Sequence, residues 1–303
     1  MALHPRLRKL LVLAPAVWLC AEAVAEDRYG CEQPIAIAYT RNVVFFHDDV
    51  GIDPDLIAEL SRRTGCQFET SIRPRDEIWR LLESGDLQMG TSGVATPQRR
   101  AYTYLLPYLY MRNKLIVRDD LGDMNSLDAF HDMPGARLGV IAGYRHGPYI
   151  DGMLRILRSE GRVVEYKDDA SRFTALLNGN VEGVIGHEMN LEGAVKDRRQ
   201  RERFHVVDVI PGPATPHNLM LSRKRFTPAQ SAEWMRLMET LWLDGTLARI
   251  MRNNAPPPVA EELLDSGYRY SSTDRGWAVA EAECNTVTGL KQVHHAATPL
   301  PLS

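Results

Sequence analysis

The chain has 303 residues, 44% of them hydrophobic and 25% charged, with a formal net charge of −3. That composition belongs to a globular protein with room for two lobes of ordinary size. The slightly acidic balance excludes the basic footprint of a nucleic-acid partner. At the N-terminus, Arg6, Arg8 and Lys9 precede the apolar run 10–19, and Ala23-Val24-Ala25 fits a small-x-small cleavage site. The run is too short to span a bilayer. The expectation is a signal peptide over 1–25, cleaved after Ala25, and export as a soluble periplasmic monomer. Export permits disulfides among Cys31, Cys66 and Cys284. Cys31 and Cys66 each precede a predicted strand, so a bridge between them is geometrically reasonable; Cys31 with Cys284 and free buried thiols are the alternatives.

In chain order, 35–39 reads as a buried strand and 41–50 as a loop carrying Phe45 and Phe46. A helix follows over 53–63, capped by Asp53 with Pro54 in the first position and closed by Gly65. A strand over 66–72 and a helix capped by Asp76 and closed by Gly85 complete a β-α-β-α order, which argues for a parallel sheet covered by helices. Strand 115–118 ends this part. From Asp119 the pattern restarts, with strands over 137–141, 163–166, 181–185 and 204–207 and helices over 148–159, 171–178 and 189–196. Pro211-Gly212-Pro213 marks a return, followed by a strand over 218–222 and a helix opened by the capping box Thr227-Pro228-Ala229-Gln230. Ala255-Pro256-Pro257-Pro258 then breaks the fold. The predicted division is lobe 1 over 26–118, lobe 2 over 119–212, a return segment of lobe 1 over 213–254, and a partly disordered extension over 255–303 with a helical turn near 261–264.

The stretch Gly90-Thr91-Ser92-Gly93-Val94-Ala95-Thr96-Pro97-Gln98-Arg99-Arg100 is the centre of this pattern. It reads as a strand end opening into a helix, with the glycines turning the backbone so that its N–H groups are free. Thr96 is a good N-cap, Pro97 suits the first helical position, and Arg99 sits in a first turn where cations are normally disfavoured. A forked donor beside free N–H groups is what a bound carboxylate needs. An ordinary capped helix with a solvated arginine explains the same residues.

Five motifs occur in order: Gly51-Ile52-Asp53-Pro54-Asp55-Leu56, Thr96-Pro97-Gln98-Arg99, Pro107-Tyr108, Gly139-Val140-Ile141-Ala142-Gly143 and Asp244-Gly245-Thr246-Leu247-Ala248-Arg249-Ile250. Together they resemble the family 3 extracellular solute-binding proteins, the polar amino-acid receptors of ABC importers. The resemblance covers about 35–254. It implies an α/β, two-lobed periplasmic binding protein fold (type II), with crossings near 118–121 and 210–215 and a ligand held in the cleft between lobes. It implies no cofactor, a transient membrane permease as partner, and a small carboxylate-bearing ligand, amino acid or organic acid.

Residue by residue, Arg99 matches the family arginine that pairs with the ligand carboxylate. Thr91, Ser92 and Gly93 match the preceding donors, and Phe45 and Phe46 fall where an aromatic covers the ligand. In the second lobe, Gly143-Tyr144-Arg145 replaces the usual Gly followed by Ser/Thr pairs. His187 stands where the family usually has an Asp for the α-ammonium, with Glu188 next to it. Histidine is a poor partner for a cation, so two readings stay open: an anionic ligand lacking an α-ammonium, or substitution by Glu188. His187-Glu188 is not a zinc motif, because position 191 is Leu, and no metal site is expected. Two further functions are carried. One is a periplasmic dehydratase of the cyclohexadienyl dehydratase type, with Glu188 and His187 as proton donor and partner. The other is an accessory protein of a periplasmic quinoprotein dehydrogenase.

Overall fold

The structure is a computed structural model that describes residues 27–42, 45–122, 124–209, 211 and 214–268. The expected leader and its cleavage site, Cys284 and the end of the extension lie outside the described residues. Lobe 1 is built from β1 (Ile35–Tyr39), α1 (Ile52–Thr64), β2 (Phe68–Ile72), α2 (Arg75–Ser84), β3 (Met89–Val94), the single turn α3 (Pro97–Arg100) and β4 (Thr103–Met111). Lobe 2 contains β5 (Lys114–Arg118), α4 (Leu127–Asp132), β6 (Leu138–Ile141), α5 (Pro148–Ser159), β7 (Val163–Tyr166), α6 (Asp169–Leu177), β8 (Gly183–Gly186), α7 (Glu188–Ala194), α8 (Arg198–Arg201) and β9 (Phe204–Val207). The chain returns to lobe 1 as β10 (Thr215–Ser222), α9 (Pro228–Leu243), α10 (Thr246–Asn254) and α11 (Pro257–Tyr268).

The two sheets repeat one plan. Their strand orders are β2-β1-β3-β10-β4 and β7-β6-β8-β5-β9. In each, β-α-β units pair in parallel, and one antiparallel strand delivered by a crossing is inserted, β10 in the first sheet and β5 in the second. This moves the first crossing. Strand β5 pairs with β8 and β9, so the chain leaves lobe 1 at Arg112–Asn113, before β5, and not at 118–121. Periodicity could not tell which sheet would take a short apolar strand, because Leu115, Ile116 and Val117 are buried in either case.

Local sequence explains most elements. Gly65 and Gly85 close α1 and α2 in the left-handed conformation, and Thr227 and Gln230 make the reciprocal capping box of α9. Asp53 does not cap α1. The helix begins one residue earlier, after Gly51, and Asp53 is fully buried. Asp76 does not cap α2 either: that helix starts at Arg75, after Pro74. Gly90 and Gly93 lie inside β3 and do not turn the chain. They make room, because a Cβ on Gly93 would stand 2.2 Å from Met220 Sδ and one on Gly90 2.7 Å from Met220 Cε. Cys31 and Cys66 form a disulfide with Cα atoms 5.5 Å apart, tying the segment before β1 to the one before β2.

The C-terminal extension begins as a full helix. α11 packs on α10 and β4, with Ala260, Leu263 and Leu264 completing the lobe 1 core. Met189 from α7 of lobe 2 also enters that core, so the lobes share apolar packing as well as the crossings.

Candidate functional site

Arg99 is 8% exposed at the lobe interface. Thr96 caps α3 by accepting the Arg99 N–H at 3.2 Å, as the sequence predicts, and this sends the arginine side chain across the cleft. Its guanidinium stacks on Trp79 at 3.9 Å from the ring centre. Nη1 donates to the Val94 carbonyl and Nη2 to the Gly143 carbonyl of lobe 2, both at 2.7 Å. Gly143 has φ +74°, and a Cβ there would meet the Asp76 backbone at 2.8 Å, so the lobe 2 loop sits hard against the start of α2. Burial, with Arg145 and Arg75 nearby, draws the Arg99 guanidinium down to about 9.

Arg75 is also buried and donates to the Thr91 carbonyl at 2.6 Å. It lies 5.7 Å from the Tyr144 ring, again across the interface. Arg145 is exposed and touches the Tyr144 carbonyl. Arg75, Arg99 and Arg145 therefore bond only to carbonyl oxygens; among the described residues none has a carboxylate within 4.0 Å.

The acids here are committed elsewhere. Asp53 accepts from Ser92 Oγ at 2.6 Å and from Tyr108 Oη at 2.5 Å. Burial raises its pKa, and the Ser92, Thr91 and Tyr108 hydroxyls and Arg75 hold it back. Ser92 reaches this position at φ +59°, a strained backbone that its bonds to Asp53 and Tyr108 over-determine. Ser92 and Thr91 thus point their hydroxyls into lobe 1 rather than into the cleft. In lobe 2, Asp169 accepts from Arg172, from Asn190 at 2.8 Å and, across the interface, from Asn42 at 3.4 Å. Asp151 accepts the His146 N–H at 3.0 Å, and burial raises its pKa.

Two further groups line the junction. His146 Nδ1 is 3.3 Å from Asn113 Oδ1, and His217 Nδ1 is 3.3 Å from the Ser92 carbonyl. Burial, then neighbouring cations, lowers their pKa values to about 3 and about 4. Phe45 lies against the His217 ring at 5.0 Å, whereas Phe46 stacks on Tyr39 at 4.8 Å inside the lobe 1 core. A cavity of about 480 Å³ opens beside this junction between Val94, Ala95 and Arg100 of lobe 1 and His146, Gly147 and Tyr149 of lobe 2.

His187 and Glu188 are not part of this cluster. His187 caps α7, with Nδ1 accepting the Met189 N–H at 3.3 Å and its own N–H donated to Asn190. Its Nε2 points to Glu262 of α11, 3.8 Å away. Glu188 is ion-paired to Lys114, whose ammonium also reaches Glu262 at 3.1 Å. The donor atoms of His187, Glu188 and Glu262 lie within 4.8 Å of one another, with the lysine ammonium bonded to both carboxylates. Of the expected site residues, the structure brings together Arg99, Gly143, Tyr144 and Arg145, and sets Phe45, a residue of the lobe 1 core, against His217. It turns Thr91, Ser92 and Phe46 into lobe 1, and His187 and Glu188 toward α11; Gly93 serves packing. Sequence reading missed Arg75, Asp169, Arg172 and His217. A buried arginine on an otherwise apolar helix face, as at 172–176, is the signal that could have found one of them.

The profile of the bacterial extracellular solute-binding proteins, family 3, matches residues 42–255. The chain belongs to this family. Solved structures share its two-lobed periplasmic binding protein fold. An ancestral arginine-binding protein bound to arginine superposes with a TM-score of 0.61 at 18% identity, over 74% of this chain and 99% of the other. The arginine-, lysine-, histidine-binding protein ArtJ from Geobacillus stearothermophilus gives 0.59 at 15%, over 73% and 94%. The ancestral amino acid-binding protein AncCDT-1, a precursor of cyclohexadienyl dehydratase, gives 0.59 at 16%, also over 73% and 94%. No curated protein sequence matches the chain significantly. For this family member, residues 42–255 take in lobe 2, both crossings and lobe 1 from α1 onward; β1 and α11 lie outside the match.

Proposed function

We propose that this solute-binding protein is a periplasmic receptor for a small organic anion bearing a carboxylate, held between its lobes and passed to an ABC importer. The observation that carries the reading is the set of three interface arginines, Arg75, Arg99 and Arg145, bonded only to carbonyl oxygens. Arg75 and Arg99 are buried, and cations drawn out of water without a counter-charge are costly, while the exposed Arg145 adds like charge beside them. A ligand carboxylate would replace the Gly143 and Val94 carbonyls at the Arg99 fork and supply the missing charge. An α-ammonium finds little to hold it, because Asp169 is already neutralised by Arg172 and Glu188 by Lys114. Closure would then be driven by contacts that both lobes make with the anion.

Isothermal calorimetry against a panel of amino acids and a panel of amine-free organic acids tests this. Saturable binding is expected for a member of the second panel, with a matching rise in thermal midpoint. An ordinary amino acid bound more tightly than every organic acid would overturn it. The dehydratase alternative has less support, since Glu188 and His187 face α11 rather than Arg99.

A further inference from the structure

The two junction histidines carry information about the ligand beyond its charge. A carbonyl oxygen can only accept, so the 3.3 Å contact to the Ser92 carbonyl requires the proton of His217 on Nδ1. His146 Nδ1 faces Asn113 Oδ1 and takes the same tautomer with the amide in this orientation, which leaves Asn113 Nδ2 without a partner among the described residues. In both rings Nε2 is then a bare lone pair. Both Nε2 atoms are buried and have no hydrogen-bond partner among the described residues, on side chains 3% and 7% exposed. Their low pKa values keep these lone pairs unprotonated at neutral pH. Buried acceptors of this kind in a native protein call for a donor.

The rings occupy facing segments at the second crossing. Thr215, two residues before His217, donates to the His146 carbonyl at 3.3 Å, and the Tyr144 ring lies 6.3 Å from that of His146. Arg75 acts on His217, and Arg172, paired with Asp169, and then Arg145 act on His146, so the acceptors lie in a field of cations. A positively charged donor is disfavoured there. A neutral O–H is not.

We infer that the ligand is a small hydroxy acid, its carboxylate on the arginines and its hydroxyl donated to the imidazole Nε2 of His217 or His146. This rests on the anion-receptor reading above and narrows it.

The test uses two sets of acids that differ only at C2. One set is malate, succinate, oxaloacetate and aspartate; the other is lactate, propionate, pyruvate and alanine. Calorimetry at pH 7.5, with both enantiomers of each chiral acid, measures all of them on the intact protein. In whichever set binds, one hydroxy enantiomer should bind at least tenfold more tightly than the deoxy, keto and amino members, because only it brings a neutral donor to a buried acceptor. Equal affinity for the hydroxy and deoxy members overturns the hydroxyl assignment and leaves the anion reading standing. Tighter binding of the amino member overturns both, and no binding in either set overturns the hydroxyl assignment. His217→Phe keeps an aromatic ring against Phe45 and removes the acceptor, and should pull the hydroxy-to-deoxy ratio toward that of His146 alone. His146→Phe is the companion variant. A ratio unchanged in both variants, each shown folded by circular dichroism and still binding, sinks the proposal.

Discussion

Two charged clusters join the lobes, and they differ in how their charges are matched. At the cleft, among the described residues, Arg75, Arg99 and Arg145 hydrogen-bond only to carbonyls, and two neutral histidines hold bare acceptors. On the α11 side, the Lys114 ammonium bonds to both Glu188 and Glu262, with His187 facing Glu262. The facing His187 ring and the hydrogen-bonded Lys114 ammonium lower the Glu262 carboxyl to about 2. A cluster whose charges are matched internally holds a structure together. One that leaves like charges together has stability to gain from a partner. On the function proposed above, the difference separates a latch from a binding site within one interface.

The largest expected effect exploits the histidines, which belong to the cleft cluster alone. Their folded pKa values, about 3 and 4, lie below the ordinary 6.5. The unfolded chain therefore binds more protons, and the stabilising contribution present above pH 6.5 is lost as pH falls toward the folded values. At pH 5 the loss is about 2 kcal/mol per histidine, as an upper figure. Urea unfolding at pH 7.5 and pH 5 should show it, and His217→Gln should remove about half of the difference. Glu262 keeps its charge through this range, so the latch loses its carboxylate only at lower pH: with a depressed pKa, its contribution disappears as pH falls from about 4.5 toward 2.

Next is Arg99→Ala, which removes the fork and the stack on Trp79 and should weaken ligand binding by roughly 100-fold or more. Arg99→Lys should not restore it, because an ammonium cannot reproduce the planar, forked contact. Titration calorimetry with whichever acid of the panels binds decides this; retained affinity in Arg99→Ala would show the arginine to be structural.

Glu262→Gln probes the other cluster. It leaves Lys114 with one carboxylate partner and should cost roughly 1–3 kcal/mol of stability, while ligand affinity changes less than in Arg99→Ala. A variant that loses binding without losing stability would erase the distinction between latch and site. The smallest effect is at the surface: Arg198–Glu202 is an exposed i,i+4 pair on a short helix, and Glu202→Ala should change stability by about 0.5 kcal/mol or less.

The amino-acid sequence by itself determined what short-range chemistry dictates. Thr96-Pro97 starts a helical turn that aims Arg99, Gly65 and Gly85 end their helices, the Thr227–Gln230 box opens α9, and Cys31 and Cys66 precede neighbouring strands. These depend on a residue and its near neighbours, and the ordered motifs placed the chain in its family. Only the tertiary structure decided which sheet receives β5, that Asp53 turns inward to Ser92 and Tyr108, and that Gly90 and Gly93 serve Met220 rather than a turn. It also separated residues that adjacency had grouped with the cleft. His187 and Glu188 answer to Glu262 and Lys114, over 70 positions away along the chain, while Arg99 meets Gly143 and His217 meets Ser92. The physical reason is that a charge is read by what stands opposite it. In a two-lobed protein the opposite wall comes from a distant part of the chain, and no local pattern records it.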